Sequence, residues 1–82
     1  MKKEEIFNKI VDFIVANNSE IKKEQITMVS TFEELNMDSL DGITIITDLE
    51  KQYNIILSNE EVSQIKTVAQ AVDIIEKRIT QN

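Results

Sequence analysis

"NMDSLDGITII", residues 36–46, sets one serine, Ser39, between Asp38 and Asp41, where a polar loop gives way to an apolar run. Asp38 suits a helix N-cap, its carboxylate accepting from backbone N–H groups that have no partner inside the helix. Asp41, three residues on, takes the other position of a capping box, where Glu or Gln is usual. A helix is therefore expected to begin at Asp38, with Leu40, Ile43, Ile46, Leu49 and Tyr53 along its apolar face and Ile45 outside that stripe. Its Ile and Thr content gives modest propensity, and Gly42 costs about a further 1 kcal/mol relative to Ala. Packing must hold this helix.

Outward from that stretch the chain reads as helices and connections. Upstream, Ile6, Phe7, Ile10, Val11 and Ile14 recur at three- and four-residue spacing, which predicts a first helix over residues 3–16, closed by Asn17 and Asn18. The connection that follows, residues 18–37, is long and carries Ile21, Ile26, Phe32 and Leu35, so it should lie packed on the helices. Downstream, Ser58 with Glu61 and Thr67 with Gln70 form two more capping boxes. The first opens a short helix carrying Val62 and Ile65; the second opens a last helix with Val68, Ala71, Val72, Ile75 and Ile79 on one face. "YNIIL", residues 53–57, has no second strand to pair with and reads as an extended connection. The expectation is one all-α domain over residues 1–82, a small four-helix bundle with a long first loop and a short third helix.

Composition removes several kinds of function. With no cysteine there is no disulfide, thiolate ligand or thiol nucleophile. No apolar run approaches the roughly 20 residues that span a bilayer, and the N-terminus turns acidic at Glu4 and Glu5, so the expected location is the cytoplasm and no membrane span is expected. Between residues 33 and 61 lie Glu33, Glu34, Asp38, Asp41, Asp48, Glu50, Glu60 and Glu61 against Lys51 alone, a net −7. Nucleic acid is a poor partner for such a chain, because phosphate binding needs a basic patch. A negative face suits solubility, or the steering of a basic protein partner.

Catalysis fails on inspection. A serine nucleophile needs a base, most often histidine, and the chain has none. Aligning Gly42 with the glycine of an EF-hand loop puts Met37 at the first ligand position and apolar Ile43 and Ile45 among the rest, so no metal site is expected. Ser39 is then either an ordinary helix-start residue or a site of another kind. The first turn of a helix presents free N–H groups and the positive end of the dipole, which favour a phosphate. A serine there can carry a phosphodiester, and the protein would borrow its reactivity from the attached group.

At this point the chain resembles the acyl carrier proteins, whose hallmark is Asp-Ser-Leu at the start of the second of four helices, here Asp38, Ser39 and Leu40. "FEELNMDSLDGITIITDLEKQYNI" lies over the strongest part of the family pattern, and "SNEE" and "TVAQAVDII" match the third and fourth helices. The resemblance implies that Ser39 is esterified with 4'-phosphopantetheine from coenzyme A, set by a phosphopantetheinyl transferase, and that the arm's thiol carries acyl groups for fatty acid, polyketide or related lipid enzymes. It implies a monomeric carrier, not an enzyme. It also implies docking on basic patches of those enzymes through Asp38, Leu40, Asp41, Ile43 and Asp48, and an apolar interior, with Ile46, Leu49, Ile55, Ile65 and Ile75 as candidates, that can shelter the acyl chain. The chain departs from the family in placing Asn36 where Gly is frequent, Thr44 where many fatty-acid carriers have Glu, and Leu57 and Ser58 at the usually Pro-containing start of helix three. The rival reading is an unmodified acidic helical module that binds a basic protein.

Overall fold

The computed structural model describes residues 3–80 and consists of α1 (Lys3–Asn17), a 3₁₀ turn (Lys23–Gln25), α2 (Ser39–Tyr53), α3 (Asn59–Ser63) and α4 (Val68–Thr80). Among the described residues there is no strand beyond an isolated antiparallel bridge between Thr31 and Thr67. The fold is the expected four-helix bundle. Ile6, Ile10 and Ile14 of α1 meet Ile45 and Leu49 of α2 and Val68, Ala71, Val72 and Ile75 of α4 in one core.

Both downstream capping boxes form. Ser58 Oγ accepts from the Glu61 N–H at 3.1 Å while Glu61 Oε1 accepts from the Ser58 N–H at 3.0 Å. Thr67 and Gln70 exchange the same pair of bonds at the start of α4. At α2 only half of the expected box exists: Asp38 Oδ1 accepts from the Asp41 N–H at 2.9 Å, with no return bond from Asp41. The aspartate side chain is one methylene shorter than glutamate and does not reach back.

The stripe expected on α2 is corrected by the structure. Ile45 is 1% exposed and Leu49 fully buried, whereas Leu40 is 73% and Ile43 56% exposed. A residue advances about 100° around an α-helix, so a three-residue step falls about 60° short of a full turn. Three such steps from Leu40 through Ile43 and Ile46 to Leu49 end on the opposite side. The buried face runs instead through Gly42, Ile45, Ile46, Leu49 and Tyr53, and Leu40 and Ile43 face outward.

The long first connection is built into the bundle. Ile21, Ile26 and Leu35 are buried, and the carbonyls of Ser30 and Met28 accept from the Val68 and Ala69 N–H groups at 3.0 and 2.9 Å. Those are first-turn donors of α4 that no helical carbonyl can reach. Phe32 N–H donates to the Lys66 carbonyl, and Thr31 caps the turn of residues 31–36 through the Glu34 N–H. Asn36 ends that turn with φ 58°, and Asn54 ends α2 with φ 55°. Asparagine tolerates this left-handed conformation better than most other residues with a side chain, so both turns close without glycine.

Candidate functional site

Ser39 is the first residue of α2 and is exposed. The turn closed by Asn36, the buried Met37 and the Asp38 cap fix the point where the helix starts. The amides of Ser39 and Leu40 have no partner among the described residues, while those of Asp41 and Gly42 are taken by Asp38. Two N–H groups at the positive end of the helix dipole therefore remain free beside the Ser39 hydroxyl.

Three of the other serines give a useful contrast: Ser30 is buried and bonded to the Thr27 N–H, Ser58 caps α3, and Ser63 donates to the Glu60 carbonyl. Ser19 is exposed with no bond to its hydroxyl among the described residues, but it lies in the turn after α1 and opens no helix. Among the described residues no protein group bonds the Ser39 hydroxyl, and neither histidine nor cysteine exists to activate it. Nor do the described residues hold any group of three Asp or Glu side chains placed to bind a metal. The serine presents its oxygen outward and has no base. That arrangement suits a hydroxyl that a second protein modifies.

A mostly apolar cavity of about 400 Å³ adjoins it, walled by Phe32, Met37, Ile46, Leu49, Val62 and Ile65, with Ser39 and Gly42 also on its lining. A Cβ placed on Gly42 would meet nothing within 4 Å, as expected of a residue that borders a void. Of the five residues expected to line the interior, Ile46, Leu49 and Ile65 do so. Ile55 and Ile75 are buried in the core and are not part of this cavity.

On the outer surface of α2, Leu40 and Ile43 form an exposed apolar pair. Asp38 is exposed, and Asp41 and Asp48, half-buried, lie seven residues apart along one side of the helix. Thr44 turns its hydroxyl back to the Leu40 carbonyl at 3.0 Å. The ion pairs among the described residues join Lys3 to Asp73 and Glu76, Lys23 to Asp12, and Arg78 to Glu61. Of the eight acids between residues 33 and 61, Glu61 is the one paired among the described residues. Salt or a divalent cation should therefore raise the melting temperature by several degrees through screening. A thermal scan that shows no rise, or a fall, would mean that repulsion among these acids is already offset.

Fold and site together define a small helical domain with an exposed serine, its hydroxyl unbonded among the described residues, on the first residue of α2. The family model described as "Phosphopantetheine attachment site" matches residues 10–75. The chain is 41% identical over 76 residues to an acyl carrier protein of Lactobacillus acidophilus, covering 92% of this chain and 94% of that one. It is 36% identical over 80 residues to an acyl carrier protein of Coprothermobacter proteolyticus, covering 96% of each. The solved acyl carrier protein of Thermotoga maritima superposes with a TM-score of 0.87 at 26% identity, over 99% of this chain and 94% of that one. That of Enterococcus faecalis gives 0.75 at 30% identity, over 95% and 99%. The chain belongs to the acyl carrier protein family, whose members carry and do not catalyse.

Proposed function

We propose that residues 1–82 form a single carrier domain, monomeric and cytoplasmic, with Ser39 as the attachment point of a 4'-phosphopantetheine arm taken from coenzyme A. The observation that carries this reading is the exposed, unbonded Ser39 hydroxyl on the first residue of α2, beside two free backbone N–H groups. Those N–H groups and the dipole favour a phosphate, and they offset the repulsion from Asp38 and Asp41. The bound arm supplies a thiol that holds acyl groups as thioesters, for delivery to fatty acid, polyketide or related lipid-pathway enzymes. The cavity between α2 and α3 suits an acyl chain, since its wall is apolar and reaches Ser39.

The protein incubated with coenzyme A and a broad-specificity phosphopantetheinyl transferase should gain the mass of one arm. Several transferases that leave the mass unchanged would favour the unmodified module instead. Docking is proposed to use Asp38, Asp41 and Asp48 against basic patches of the transferase and acyl-processing enzymes, with Leu40 and Ile43 supplying apolar contact. Exposed charges act mainly on the rate of encounter, so Asp41→Lys should slow arm transfer severalfold at low salt and much less at high salt. Rates equal to wild type would turn recognition toward shape or apolar contacts, with Leu40 and Ile43 as the next residues to test.

A further inference from the structure

The third helix is the least firmly held wall of the cavity. It is five residues long, and none of them is fully buried; its Val62 and, just beyond its end, Ile65 are half-buried against the void. The chain is anchored on either side of it. Before α3, Leu57 N–H donates to Glu50 Oε2 at 2.8 Å; after it, the Lys66 carbonyl accepts from the Phe32 N–H at 3.1 Å. Between those anchors, the bonds of residues 58–65 are internal to the segment with one exception among the described residues. Glu61 receives the Arg78 guanidinium in a two-bond contact, Nε to Oε2 at 3.0 Å and the second through Nη2 and Oε1. Arg78 sits in the last turn of α4.

Such a contact differs from an ordinary surface pair. Two parallel N–H···O bonds fix direction as well as distance, which a lysine in the same place cannot do. Glu61 also belongs to the capping box that starts α3, so the guanidinium grips the helix at its own cap. Widening the cavity by lifting α3 requires this contact to break, while the anchors at Leu57 and Lys66 can stay.

We propose that Arg78 is a specificity-determining residue of the carrier: its contact with Glu61 latches α3 over the apolar cavity and so limits the length of straight acyl chain that the cavity shelters. The cargo part rests on the carrier reading above; the latch itself does not. A partly exposed pair of this kind shifts a local opening equilibrium about three- to fivefold.

The test compares wild type, Arg78→Gln and Arg78→Lys in two measurements. In the first, backbone amide exchange is followed on the unmodified proteins. Arg78→Gln should speed exchange at Val62, Gln64 and Ile65 about three- to fivefold and leave Ile10 and Ile14 of α1 unchanged, with Arg78→Lys in between. Unchanged exchange around α3, or an equal rise in α1, overturns the latch whatever the arm does. In the second, the arm is loaded with straight acyl chains of increasing length, and the melting temperature is read for each. The chain that stabilises most should be longer for Arg78→Gln than for wild type. An unmoved optimum overturns the specificity claim, and a wild type that accepts no arm overturns the carrier reading and the cargo claim together.

Discussion

Ile45→Ala should cost about 2–5 kcal/mol, a large share of the stability of a domain this small, because the side chain is almost fully buried and its neighbours cannot close the space. Leu40→Ala and Ile43→Ala, made on the same helix, should each stay within about 0.5 kcal/mol, since surface substitutions lose little packing and alanine favours the helix. Urea unfolding followed by circular dichroism gives all three values. The comparison tests the rotation of α2 as well as its stability. Were Leu40 or Ile43 the costlier site, the helix would sit with its other face inward, and Ser39 would not stand where the carrier reading needs it.

That rotation is what the sequence left open. Leu40, Ile43, Ile45, Ile46 and Leu49 are spread over more than half the circumference of α2, so periodicity alone allows more than one inward face. Three-residue spacing suggested a stripe that helical geometry does not keep straight. The caps were legible because they are local: Ser58 with Glu61, Thr67 with Gln70, and Asp38 reaching Asp41 are all three-residue relations. The place of Ser39 at a helix start was legible for the same reason, since it stands beside its own cap.

Contacts between distant segments carried no such signal. The carbonyls of Met28 and Ser30 serve α4 through the backbone, so no side chain announces them. Glu61 and Arg78 are 17 residues apart, and either reads alone as a solvated charge. Together they hold the Glu61 carboxyl down to about 2, the Arg78 hydrogen bond being the main cause and the Ser58 N–H the next. With the folded value depressed, that contribution to stability is complete above the ordinary glutamate range and is lost as pH falls through about 2.

Ser39→Ala should abolish uptake of the arm, with no mass gain at any transferase concentration, while helical content stays at the wild-type level. The bond that starts α2 runs from the Asp41 N–H to Asp38, not to Ser39, so the helix keeps its cap. Alanine in the first turn also has the higher helix propensity, and stability should hold or rise by a few tenths of a kcal/mol. Ser58→Ala is the matched control, because Ser58 too stands at a helix start and is exposed. Its hydroxyl is already used as a cap, so its loss should cost about 1 kcal/mol and leave arm uptake intact. The two substitutions should thus separate completely, one removing modification without loss of stability and the other removing stability without loss of modification. Intact mass and thermal unfolding of the three proteins read both effects. Mass gain that survives Ser39→Ala would move the attachment to another hydroxyl. Mass gain lost in Ser58→Ala while the protein stays folded would mean that the transferase reads α3 as well as the start of α2.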